Sequence, residues 1–205
     1  MLKIKKICFC FLILVGATPL LAQKSNPAMA ARQQINDLKQ GTLVVRLRTQ
    51  QFKIDALNTI DRPQTAKKIT QQQRQINLQL VQDFKNNYTF SNQKTVFFYS
   101  TQTNDFKANN WQNLFLNDSL EADPNIKIDT SKPIFVAEIA PIESQNQSLG
   151  ITALLIMDRN LMQLKPPFPF YVRPIDKIAY NNTRRKTGDV GILNKKLEKF
   201  YARPL

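Results

Sequence analysis

Both cysteines of this 205-residue chain, Cys8 and Cys10, lie in its first apolar stretch, and histidine is absent throughout. Whatever folds beyond that stretch must close its core by apolar packing alone, with neither a disulfide nor a His–Cys metal site to staple it. Lys3, Lys5 and Lys6 precede the apolar run Ile7–Val15, and Leu20-Leu21-Ala22 leads to Gln23. This is the layout of a cleaved secretory signal over residues 1–22. The run falls short of the roughly twenty apolar residues of a membrane span, and its cysteines lie within it rather than behind a cleavage box, as lipidation would require. The best later stretch, Ile134–Ile142, is interrupted by Glu138 and Pro141. The expectation is an exported protein, periplasmic or secreted, with no transmembrane segment after signal removal.

The same absences bound the chemistry. Thiolate nucleophiles, Ser–His–Asp triads and histidine general bases have no residues to use after the signal. Glycine occurs only at 16, 41, 150, 188 and 191, too sparsely for a phosphate-cradling loop or a dinucleotide fingerprint. No cofactor and no metal site are expected. The formal charge of +14 falls to about +11 without the three signal lysines, enough to draw polyanions toward the surface. For an exported protein these are lipid headgroups or acidic glycans; nucleic acid is not an expected partner.

Residues 23–30 form a flexible lead-in, and 31–205 have the length of one domain with a genuine core. Ile35 and Leu38 mark a short helix stopped by Gly41. Thr42–Thr49 alternates, with Leu43, Val45 and Leu47 on one side and Val44, Arg46 and Arg48 on the other, the period of a half-buried strand. A short helix around Phe52, Ala56 and Leu57 follows. Asp61-Arg62-Pro63 opens a long helix over 63–87, with Ala66, Ile69, Ile76, Leu80 and Phe84 as its apolar stripe and Gln71–Gln75 as an exposed shoulder. Thr95–Ser100 and Pro133–Ala140 read as strands, separated by an irregular segment anchored by Trp111, Leu114, Phe115 and Leu116. Ile151–Met157, Asp158-Arg159-Asn160 and Leu161–Leu164 read as a hairpin. A last helix starts at Thr187-Gly188-Asp189, with Val190, Leu193, Leu197, Phe200 and Tyr201 on one face. The expected fold is a single α/β domain: a mixed sheet of about five strands flanked by three or four helices.

The segments GTLVVRLRT, TVFFYS, LFLNDSLEADPNIKI, LLIMDRNLMQLKPPFPFYV and LNKKLEKFY resemble short exported proteins of the Bacteroidota, a resemblance from which no activity carries over. Hairpin followed by helix is also similar in order to the C-terminal half of thioredoxin-like domains, although no Cys-x-x-Cys is present. That likeness implies a scaffold without redox activity, in which the hairpin pairs with the Thr42–Thr49 strand.

Several features are candidates for function. Arg184, Arg185 and Lys186 lead into a helix start, where free backbone N–H groups and the helix dipole favour an anion; Arg46 and Arg48 could extend that basic surface. Pro166, Pro167, Phe168, Phe170 and Tyr171 alternate prolines with aromatics, as a partner-docking edge or as a protected sheet edge with Phe168 and Phe170 packed inward. The acids Asp118, Glu121, Asp123, Asp129, Glu138 and Glu143 are the candidates for hydrolysis without histidine, which takes two carboxylates converging in a cleft. The reading that follows is a non-catalytic envelope protein that engages a protein partner or an anionic surface. A carboxylate-dependent hydrolase and a thioredoxin-like scaffold are the alternatives.

Overall fold

The computed structural model describes residues 26–144, 147–173 and 188–204. Five α-helices and five strands follow one another as α1 (Pro27–Gln40), β1 (Thr42–Leu47), α2 (Gln51–Thr59), α3 (Pro63–Asn87), β2 (Val96–Tyr99), α4 (Thr103–Ala108), β3 (Ile134–Ser144), β4 (Gln147–Asp158), β5 (Tyr171–Val172) and α5 (Asp189–Tyr201). The strands form one mixed sheet in the order β2-β1-β3-β4-β5. β1 runs parallel to both β2 and β3, and β4 runs antiparallel to both β3 and β5. This is the expected α/β class with one more helix than foreseen.

The sheet is buried on both faces. Leu43, Val45 and Leu47 of β1 pack with Leu38, Val81, Phe84, Leu193 and Leu197, so α1, α3 and α5 cover one side. Val44 faces the other way, among Phe98, Phe106, Phe115 and Val136, under α4 and the segment after it. Alternation along β1 therefore separates two cores rather than core from solvent, as suits a central parallel strand. The switch from α1 into β1 is tight: Gly41 N–H donates to Asp37 O, and a Cβ at Gly41 would lie 2.3 Å from Pro133 O. Upstream, Asn26 caps α1 through its side chain, so the helix begins at Pro27, inside the expected lead-in.

Helix α3 has the foreseen bounds and keeps Ala66 and Phe84 of the foreseen stripe, but part of its buried face is different. Ala66, Gln73, Asn77, Val81 and Phe84 turn inward, whereas Ile76 is 51% exposed. The reason is polar. Gln50 Nε2 donates to Gln73 Oε1 (2.6 Å), Gln73 Nε2 to Asn77 Oδ1 (3.0 Å), and Asn77 Nδ2 to the Arg48 carbonyl (2.9 Å). This chain satisfies the backbone where β1 ends and fixes the turn into α2, so partnered polar groups displace apolar ones from the stripe. Helix α2 itself buries no residue, and Phe52 at its start is 89% exposed.

The expected 151–164 hairpin is corrected. The long hairpin of the sheet is β3–β4, and the return after Asp158 as far as Leu164 lies beside β4 through an isolated bridge between Met157 and Gln163 and the bond from Leu164 N–H to the Ile156 carbonyl, without forming a strand. Asp158 Oδ1 accepts from the backbone N–H groups of Asn160 and Met162, which holds the turn but leads into no strand. Since β1 is flanked by β2 and β3, the pairing that the thioredoxin-like scaffold needed is not formed.

Replacing Asn77 by Ala strands the Arg48 carbonyl and the Gln73 amide, so we expect a loss of about 1–3 kcal/mol. Urea unfolding of the variant measures it.

Candidate functional site

The connection from β1 leads to β2 on one side, and the connection from β2 returns to β3 on the other. A crevice opens where two connections part in this way, outside the carboxyl ends of the strands. Here it has a volume of about 470 Å³ and is lined by Arg46, Arg48, Thr49, the start of α2 from Gln50 to Lys53, Ser100, Thr101 and Glu138.

Its base is an ion pair made by the register of the sheet. The parallel β1–β3 pairing sets Val45 beside Ala137, and one step further the same offset sets Arg46 beside Glu138. Arg46 Nη1 lies 2.6 Å from Glu138 Oε2, with side-chain exposures of 23% and 6%. Arg46 Nε also donates to Thr103 Oγ1 (2.9 Å), and Thr103 Oγ1 donates to the Ser100 carbonyl (2.6 Å). The guanidinium is thereby bound to β3 and to α4 at once. Burying Glu138 at 5% exposure is tolerable only because these partners compensate its charge.

Arg48, two residues on and so on the same side of β1, reaches the other oxygen of Glu138 only at 3.9 Å and keeps 52% of its side chain exposed. One carboxylate thus faces two guanidiniums, and Arg46 holds it the more closely. Lys53 adds a third cation to the lining, which carries no second acid. The Thr49 and Ser100 hydroxyls lie 3.5 Å apart at the same mouth. The crevice therefore has an excess of positive charge, hydroxyls to receive a hydrogen-bonding group, and the exposed Phe52 ring beside it.

The other sequence candidates lie elsewhere. Arg184, Arg185 and Lys186 are outside the described residues. At the helix start they lead into, the position foreseen for an anion faces a carboxylate of the chain: a Cβ on Gly188 would lie 2.4 Å from Asp83 Oδ2. Phe168 and Phe170 are buried at 2% and 8% in the main core, which leaves Pro166 and Pro167 as the exposed part of the expected docking edge. Tyr171 is half-buried, with Lys196 Nζ 5.5 Å from its ring centre and donating to its carbonyl. Among the acids, Glu138 is paired as above, Asp118 pairs with Lys85, and Asp129 accepts from the Ser131 N–H and hydroxyl, which hold its carboxyl below the usual range. The Glu143 side chain lies outside the described residues. Asp118 and Asp129 line one cavity, where Asp118 is held by Lys85 and Asp129 by Ser131. Among the described residues no group of three acids could hold a metal ion, and no helix is long and apolar enough to cross a membrane.

Sequence reasoning missed the role of Glu138 and the Gln50–Gln73–Asn77 chain. A charge inside the apolar run Pro133–Ala140, at strand spacing from two cations on another strand, was the available signal. Comparison of the chain with protein-family models, curated proteins and solved structures gives no match.

Two outcomes follow. Glu138→Leu alone leaves Arg46 without its counter-charge and should cost about 3 kcal/mol, whereas Arg46→Met with Glu138→Leu should cost clearly less; a double-mutant cycle by urea unfolding reads the difference. Burial raises the carboxyl pKa of Asp83 against the smaller lowering effect of the Asn87 amide. The neutral form is thus favoured on folding, and this contribution is present at low pH and lost as pH rises through the folded value. The stability of Asp83→Asn relative to the parent should therefore improve between about pH 3 and pH 7, as unfolding midpoints at the two pH values would show.

Proposed function

We propose that the chain is an exported binding module, without chemistry of its own, that takes an anionic side chain of a protein partner in the crevice at the ends of β1 and β2. The observation that carries this reading is the pair of arginines on one buried carboxylate. Glu138 neutralises Arg46, the more enclosed of the two, and leaves Arg48 half-exposed and loosely held, with Lys53 beside it. A carboxylate entering the crevice meets a bidentate donor in Arg48 and hydroxyl donors from Thr49 or Ser100.

A protein partner is favoured over a polyanionic surface by two features. The crevice is small and shaped, whereas a field effect needs only a broad basic face. Phe52, at its edge, is an aromatic side chain presented almost wholly to solvent on a helix that buries nothing, the type of residue that anchors interfaces. Export is supported by the signal-like residues 1–22.

Titration of residues 23–205 with a peptide rich in Asp and Glu, and with its Asn/Gln counterpart, tests the reading. Saturable binding of the acidic peptide is expected, weakened about ten-fold in Arg48→Gln/Lys53→Gln and weakened by Phe52→Ser at high salt as well as low. Binding only of long polyanions, lost at high salt and unaffected by Phe52→Ser, would replace the protein partner with a charged surface.

A further inference from the structure

Helix α2 stands at the crevice with little to hold it there. So short a helix is marginal by itself in water and normally owes its place to apolar burial. Yet α2, nine residues long, buries none of them. Ile54 and Leu57, three positions apart, are only half-buried, and α3 is the element that α2 packs on. Phe52, one residue into the helix, is 89% exposed.

The two ends of α2 are fastened differently. At the far end the helix closes in the usual way: Asp61 is left-handed (φ 53°), Arg62 N–H returns to the Leu57 carbonyl, and Pro63 starts α3. At the crevice end Gln50 is left-handed too (φ 55°), a conformation that strains a residue other than glycine, and no side chain caps the helix. From outside α2, among the described residues, Gln50 is held by its side-chain amide, which donates to Gln73 Oε1 (2.6 Å). Gln73 is in turn tied to Asn77. The residues that this bond keeps in place, Gln50 to Lys53, form one wall of the crevice.

We propose that α2 is a hinged cover of the crevice: it lifts as a unit about Asp61 and Arg62, the Gln50–Gln73 bond latches it shut, and a ligand in the crevice favours the shut state. Local opening draws on the segments with the fewest buried apolar contacts, and α2 is such a segment. Lifting relieves the strain at Gln50 and takes Phe52 and Lys53 away from the mouth, which widens the way to Arg48. Shutting sets both side chains against the group that Arg48 has taken. A ligand that touches them binds the shut state better and shifts the population toward it. The effect of the ligand rests on the function proposed above, whereas the cover and its latch do not.

Native-state hydrogen exchange of residues 23–205, read amide by amide in increasing sub-denaturing urea, is the test. Without ligand, the Ile54–Thr59 amides should share one opening equilibrium and exchange about 100-fold or more faster than the Val81–Asn87 amides of α3. Gln73→Ala and Gln50→Ala should each speed α2 exchange about ten-fold, the worth of one hydrogen bond, because the opening itself breaks the latch. The peptide rich in Asp and Glu, at about ten times its Kd, should slow α2 exchange about ten-fold. Exchange of α2 only through global unfolding, graded fraying with no shared opening, or indifference of α2 to both latch substitutions would overturn the cover. A bound peptide that leaves α2 exchange unchanged would overturn its coupling to the ligand. If the peptide does not bind, the proposed function fails, and exchange of the ligand-free protein still decides for or against the cover.

Discussion

The structure depends on β1 lying between two parallel neighbours. A parallel neighbour cannot be reached by a tight turn, so each connection must cross a face of the sheet. α2 and α3 cross one face, and α4 with the segment to Pro133 crosses the other, which buries β1 on both sides. The same arrangement parts the two connections at the carboxyl end of β1 and opens the crevice there. Fold and candidate site are thus consequences of one constraint.

The ion pair is where that constraint becomes chemistry. The β1–β3 register sets Arg46 beside Glu138, and a slip of one residue between the strands would leave the two side chains on opposite faces of the sheet. With the pair formed, the Glu138 charge is compensated at depth and Arg48 is left nearer the surface with an incomplete partner. The polar chain from Gln50 to Asn77 holds the backbone of Arg48 from the other side of the sheet. Arg48 is therefore fixed at its carbonyl and only loosely held at its guanidinium, which suits a residue that meets a ligand.

Much of the fold was legible in the sequence because its signals are local. Pro63 and the apolar spacing gave α3 its bounds, β-branched and aromatic residues marked β1 and β2, and Gly188-Asp189 marked α5. What was not legible depended on pairing at a distance. Of the α3 stripe Ala66, Ile69, Ile76, Leu80 and Phe84, the structure buries Ala66 and Phe84 and exposes Ile76; Gln73 and Asn77 fall outside that stripe because glutamine and asparagine are ordinarily exposed, and their burial follows from the backbone of β1 ending beneath them. Arg46 looked like the solvent side of a half-buried strand because its partner lies 92 residues away. The 151–164 hairpin had a correct turn but no return strand, since Leu164 and Phe168 pack into the core while only Tyr171 and Val172 pair with β4.

The central claim is that the crevice meets an anion through Arg48 while Arg46 remains bound to Glu138. The direct measurement is a ¹H–¹⁵N titration of residues 23–205 with an acidic peptide, following the backbone and the arginine Nε–H signals. The account predicts saturating shifts at Arg48 Nε and along Thr49–Lys53 and Ser100–Thr101, with Arg46 Nε unmoved. Shifts confined to other surfaces, or an Arg46 signal that moves with the ligand while Arg48 stays, would contradict it.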